Sequence, residues 1–340
     1  MDWMKKTALY SLLVLLLVSA FSCRTAEEEE VTGESMSGAI DFDVPYYVHK
    51  GQTVTMRASG ITYPRDAYYK WYVSGVYADT LTSNVITVRF PDSLGVFNVS
   101  AVSFAPGFYS NSSTRTVTTV DTSYNGSVKG LSRSGFSIVD ARDGMVYDYV
   151  TIGDFDWFSQ NLAYVDRTEA VYYKQSPAVA SLFGAFYTFY EAARLKICPE
   201  GWYVPGNAEW ENLAASVNGG VALPFIDNWA GLGSKLSADA SFNGSRLWPY
   251  SPDNTHTNDF GWNALPLGSM TSDGSQVAGE RSYGYWWSAS ESADGYAYYR
   301  YIYYDEGSFP MGSVRAGGSD GYVSGVRMSV RCVRKHQQSW

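Results

Sequence analysis

The sequence predicts an all-β sandwich followed by an α+β domain, and three observations predict it. Between Val54 and Val120 five runs alternate apolar and polar residues at period two, with no helical stretch among them. The period then changes. Ile197 to Leu213 packs a helix exit, a cysteine, a short apolar strand and a second helix start into seventeen residues. The aromatic content is 16%, with 28 Tyr and 11 Trp, which suits pleated sheets and interaction surfaces alike.

At 340 residues the chain has room for two domains and a targeting segment. Its 45% apolar and 17% charged residues are those of a globular protein able to bury a core. The net charge of -9 repels nucleic acid and anionic lipid surfaces, so nucleic acid is not expected as a partner.

In chain order, residues 1–22 read as a signal peptide. Lys5 and Lys6 form its basic start, Ala8 to Phe21 its apolar run, and Ser19 to Ser22 a small-residue approach to Cys23. The run falls short of the roughly 20 residues that a membrane span needs. The junction resembles the lipobox of bacterial lipoproteins, which implies lipidation at Cys23 and outer-membrane lipid as a partner through the acyl anchor. Ala20 departs from the Leu commonest there, and a plain secretory signal is the alternative. Residues 23–39, with Glu27 to Glu30 and no aromatics, read as a solvated acidic tether. An acidic run after such a cysteine resembles the surface-export signal of Bacteroidetes lipoproteins, implying the outer face of the outer membrane; a simple spacer is the other reading.

Residues 40–120 carry the β runs. Lys70-Trp71 on one strand, followed by the Gly95-Val96-Phe97-Asn98-Val99 run, resembles the PKD or bacterial Ig-like sandwich, a spacer or contact module. Residues 121–135, rich in Ser, Gly and Asn, read as a linker.

The second domain, 136–335, opens on a hairpin turned at Asp143-Gly144. Ser181 to Leu195 has helical spacing, and Pro199 ends that run. Trp202 to Val204 reads as a short strand. Asn207 reads as the cap of a helix carrying Trp210, Leu213 and Val217. Five ordered segments, DARDGMVYDYVTIGDFDWFSQNLAY, CPEGWYVPGNAEWENL, NDFGWNALPLG, YWWSASE and SVRCV, resemble the Fibrobacter succinogenes major paralogous domain. Gly206-Asn207 stands where that family usually has Ser-Asp. The element order is also similar to the C-type-lectin-like fold, in which the first helical region is disulfide-linked to the last strand. That likeness implies a Cys198–Cys332 disulfide, closing about 135 residues and worth roughly 4–5 kcal/mol in the chain-entropy model. Two buried thiols or a reactive cysteine are the alternatives.

Phe225 to Ser290 reads as loops held by aromatics. Asn258 and Asp259 are weak calcium candidates, since hard oxygens suit that ion. The lectin sugar-binding calcium motifs are absent, and loop-structuring is the preferred reading, so no cofactor is expected. His49 and His256 each read as solitary. From Tyr283 to Tyr304 ten aromatics flank an Asp294-Gly295 turn. Alternation puts Tyr296, Tyr298, Arg300, Ile302 and Tyr304 on one face and Tyr299, Tyr301 and Tyr303 on the other. Trp286, Trp287, Tyr296, Tyr298, Tyr299, Arg300 and Tyr301 are the candidate ligand surface. Elements covering both faces would be the ordinary alternative.

No Gly-x-Ser-x-Gly elbow, His-Glu-x-x-His helix or phosphate loop occurs, so no catalytic residue is expected. The sequence therefore reads as a non-enzymatic, surface-exposed lipoprotein whose head binds a glycan or a surface protein. A structural or tip subunit of a pilus-like assembly is the alternative, and a carbohydrate-active enzyme the less favoured one.

Overall fold

The computed structural model describes residues 33–75, 77–78, 83–316 and 325–337. The signal segment, Cys23 and the Glu27–Glu30 run lie outside these residues. The described chain is mostly β, in several sheets. None of its helices is long and apolar enough to cross a membrane.

In the first domain a three-stranded sheet (Asp41–Asp43, Thr53–Ser59, Val85–Arg89) and a five-stranded sheet share one core. The second sheet runs in the order Tyr47–His49, Asn111–Val120, Val96–Phe104, Tyr68–Val73, Tyr77–Ala78. Alternation decides which residues face inward. Met56, Ala58, Ile86 and Val88 from one sheet meet Trp71, Val73, Val99, Ala101 and Val117 from the other. Trp71 is fully buried and donates its indole N–H to the Ser83 carbonyl at 3.1 Å. Burial of each such large side chain contributes about 1.5–3 kcal/mol.

Two segments read as unpaired chain are in fact packed. Residues 34–39 join the first domain: Glu34–Ser35 pairs with Phe108–Tyr109, and Met36 is buried. Met36 supplies the apolar side chain that the acidic run before it lacks. The expected linker is likewise tied to the second domain. Val128–Lys129 pairs with Ser241–Phe242, and the Ser132 N–H donates to Asn263 Oδ1 at 2.9 Å. Across the junction Tyr47 packs on Tyr173 and Phe242, and its N–H donates to Ser176 Oγ.

The second domain is closed by its own ends. A sheet of Ser137–Val139, Val146–Ile152 and Phe155–Phe158 takes Val333–Lys335 as its fourth strand. The helix expected over 181–195 is instead two short helices, Ala180–Phe183 and Phe189–Arg194, with the strand Ala185–Phe186 between them. Gly184 is the cause. Its φ is +77°, and a Cβ there would lie 2.6 Å from Asn161 Cβ and 2.7 Å from the Leu162 carbonyl oxygen. Thr188 then restarts the helix: its N–H donates to Glu191 Oε2 at 2.8 Å while its hydroxyl accepts from the Glu191 N–H. Two further readings are corrected. Trp202–Val204 makes only one bridge, Tyr203 to Val333, because the turn at Pro205 ends its pairing. Helix Asn207–Val217 is preceded by Gly206 rather than capped by Asn207, and Glu209 Oε2 accepts the Gly206 N–H at 2.9 Å.

The deepest core holds Trp157, Trp210, Trp262, Trp286 and Phe309, with ring centroids 5.0–6.4 Å apart. Two arginines are buried among such rings without a carboxylate partner. Arg331 donates to the carbonyls of Phe158, Trp262 and Asn263 and to Asn161 Oδ1, with its guanidinium 4.3 Å from the Trp262 ring. Arg300 donates to the carbonyls of Phe225, Asp227 and Phe309 and lies over Trp229. Burial pulls both guanidinium pKa values down to about 9, still above neutrality, so each remains a cation at pH 7. Each thereby pins loops that have no regular hydrogen bonding of their own.

Candidate ligand face of the second domain

The sheet Tyr283–Glu291, Tyr296–Tyr303, Met311–Arg315 positions the expected surface. Its first two strands form the hairpin turned at Asp294-Gly295, pairing Tyr283 with Tyr303, Tyr285 with Tyr301, Trp286 with Arg300 and Trp287 with Tyr299. One face is sealed. Trp286, Arg300 and Ile302 are 0% exposed, and Tyr298 and Tyr304 pack partly buried against the same core.

Among the described residues, a helix covers the other face at one end. There Trp287 is 0% exposed beneath Phe189 of helix Phe189–Arg194, with rings 5.5 Å apart, and its indole N–H donates to the Tyr187 carbonyl. Trp286, Trp287 and Arg300 are thus core residues and not part of a ligand surface. The physical reason is that each has a buried polar group satisfied internally, in Asn161, Tyr187 and the loop carbonyls. Tyr296, near the hairpin turn, is exposed.

Beyond Trp287 the face carries five half-buried tyrosines: Tyr283, Tyr285, Tyr299, Tyr301 and Tyr303. Their rings form a continuous cluster. Tyr283 stacks on Tyr285 at 5.4 Å and approaches Tyr303 at 4.7 Å, while Tyr285 meets Tyr299 and Tyr301 at 5.8 and 5.9 Å. Burial, then the neighbouring Tyr283, Tyr299 and Tyr301, push the Tyr285 hydroxyl well above the usual phenol range. Burial likewise raises Tyr299 and Tyr301. All three keep their protons and can donate hydrogen bonds at neutral pH. On the third strand Gly312 sits opposite Tyr299, and a Cβ there would fall 2.3 Å from the Tyr299 ring. Glycine at 312 lets that ring lie across the sheet. Tyr283 and Tyr285 were absent from the expected surface; counting outward from the Asp294-Gly295 turn would set them opposite Glu306 and Tyr304, and only the register shift between Trp287 and Glu291 brings them opposite Tyr303 and Tyr301.

Cys198 and Cys332 form a disulfide with Cα atoms 5.9 Å apart, spanning 134 residues. Neither sulfur is therefore a nucleophile. The calcium candidates fare differently from each other. Asn258 Oδ1 accepts the Asn263 N–H at 2.9 Å, and its Nδ2 donates to Asn263 Oδ1 and Ser132 Oγ, so this side chain organises its loop. Asp259 is exposed. Among the described residues no three His, Cys, Asp or Glu side chains cluster as metal ligands.

His256 is not solitary. Its Nδ1 lies 2.7 Å from Ser237 Oγ, and its ring stacks on Trp248 at 4.8 Å. Ser237 donates to the Gly233 carbonyl at 2.8 Å, so it accepts from His256 Nδ1–H. Ser237 is 0% exposed, and burial lowers the His256 pKa to about 4. The spacing is that of a nucleophile and base, but the hydroxyl is sealed from solvent and its proton already engaged.

The family model of the Fibrobacter succinogenes major domain matches residues 150–334. The chain belongs to that family. The match takes in the Trp157 strand, the disulfide, both buried arginines and the tyrosine face of this Fibrobacter major domain. No curated protein matches the chain. Among solved structures, the Yersinia pseudotuberculosis adhesin InvE is similar over 87% of this chain and 70% of its own at 12% identity, with a TM-score of 0.23, too low to carry an inference.

Proposed function

We propose that this protein is a non-enzymatic, lipid-anchored cell-surface protein whose Fibrobacter major domain recognises a glycan or a protein. In this reading Cys23 carries the lipid, the outer membrane holds it, an Ig/PKD-like first domain acts as spacer, and a C-type-lectin-like head binds. The observation that carries the binding role is the tyrosine face. Five adjoining rings stay half-open on a sheet whose opposite face buries Trp286, Arg300 and Ile302 completely. Tyrosine combines a flat apolar ring with a hydroxyl donor, the pairing that stacks on sugar rings and anchors protein interfaces. The engaged cysteines and the sealed Ser237–His256 pair support recognition over chemistry.

A glycan array probed with the full mature chain tests this. Saturable binding is expected, weakened at least tenfold in Tyr301→Ala and Tyr285→Ala. Turnover of a polysaccharide in a reducing-end assay, or co-purification with other surface chains together with a blank array, would replace it with the enzyme or the assembly-subunit reading.

A further inference from the structure

The expected linker borders a cleft of about 470 Å³, well away in sequence from the tyrosine face. Residues 122–125 and 131–133 form one side; the Asp143–Val146 turn, Ser159, Gln160, Ser181 and Asn263 contribute to the rest. The volume falls within the range of about 300–1,000 Å³ typical of small-ligand sites.

The chemistry of its lining is specific. Its cation is spent: Arg133 makes a bidentate pair with Asp148 at 2.8 and 3.1 Å, so no free positive charge awaits an anion. Its hydroxyls are partly engaged: Ser123 donates to Asp121, and Ser132 accepts from Asn258. Ser159 is only 3% exposed and its Oγ, like six other buried side-chain atoms among the described residues, has no hydrogen-bond partner. The side chains of Tyr124, Asn125 and Ser181 also make no hydrogen bond with the described residues. Tyr124 is 57% exposed and has Arg133 over its ring at 5.4 Å, which fixes a flat aromatic wall beside these polar groups. Val128, Leu131 and Leu182 supply apolar surface.

From this combination we infer that the cleft binds a neutral saccharide, a polyhydroxyl ligand that meets Ser181, Asn125 and Tyr124 by hydrogen bonds and stacks on the Tyr124 ring. The site is separate from the tyrosine face and does not depend on it. It also gives the packed segment 121–135 a role that a flexible tether could not fill, since a binding wall has to be held in place.

Saturation-transfer NMR and calorimetry on the full mature chain, with neutral glucose-, galactose-, mannose- and N-acetylglucosamine-containing disaccharides, test this. Saturable binding of at least one disaccharide is expected. Tyr124→Ala, at an exposed position that leaves the core intact, and Ser181→Trp, which fills the cleft, should each weaken it at least tenfold, whereas Tyr250→Ala, exposed and outside the cleft lining, leaves it unchanged. No saturable binding by any disaccharide overturns the proposal. Binding that Tyr301→Ala removes and Tyr124→Ala spares overturns it too, while leaving the tyrosine face as the head's ligand surface.

Discussion

The two faces of the Tyr283–Arg315 sheet both carry Trp and Tyr at alternate positions, and they end differently. On one, Trp286, Arg300 and Ile302 disappear beneath the loops that Arg300 itself holds through the carbonyls of Phe225, Asp227 and Phe309. On the other, helix Phe189–Arg194 covers Trp287 and stops, leaving five tyrosines half-open. The difference teaches that aromatic density alone does not mark a binding surface. What matters is whether a neighbouring element reaches the ring, and on the sealed face Arg300 holds the loops that do.

The largest effect should come from the disulfide in the cluster shared with Phe189 and Trp287. Replacing Cys198 and Cys332 together with Ser removes a cross-link spanning 134 residues, and should lower unfolding free energy by about 4–5 kcal/mol in denaturant titrations. A loss under about 1 kcal/mol would mean that packing alone holds the covering elements.

Next is the sealed face. Arg300→Ala leaves two buried carbonyls and one part-buried one without their donor and empties the space over Trp229, so a loss of about 3–5 kcal/mol is expected. Tyr301→Ala on the open face should cost about 1 kcal/mol while weakening the proposed array signal at least tenfold. Equal losses at the two positions would erase the distinction between the faces.

A pH effect follows from His256, buried under the loops of the middle segment. Its folded pKa is about 4 against 6.5 for the free side chain, so the unfolded chain binds more protons between those values. Stability should hold above pH 6.5 and fall as the pH drops toward 4, by about 2–3 kcal/mol. In His256→Gln this part of the pH profile should flatten, as read from midpoints of thermal unfolding across pH 4–7.

The smallest effect is expected at Gly312. In Gly312→Ala the new Cβ displaces the Tyr299 ring, a flexible neighbour, so stability should change by less than about 1 kcal/mol. Binding at the tyrosine face should nonetheless weaken several-fold. An unchanged affinity would exclude Tyr299 from the ligand surface.

Much of this was legible in the sequence because it depends on neighbours along the chain. Period-two alternation divided the residues of the hairpin's second strand between its two faces, and Asp294-Gly295 located the turn. Gly184 shows where such reasoning ends: Leu182, Phe186 and Phe189 keep helical spacing, and only the close approach of Asn161 and Leu162 explains why the helix breaks there. The tethers misled for a similar reason. Ser- and Gly-rich composition signals low intrinsic order, but Ser132 is held by Asn258 and Asn263, more than 120 residues away.

The sequence by itself determined the family of the second domain and the alternation of aromatic positions along the hairpin's second strand, since each rests on periodicity or on residues in order. Only the tertiary structure decided that Trp286, Trp287 and Arg300 are core and that the tyrosines beside them are open. Burial depends on which distant segment arrives over a side chain, and neither Arg300's capture of the Phe225 loop nor the docking of helix Phe189–Arg194 on Trp287 is written in local spacing.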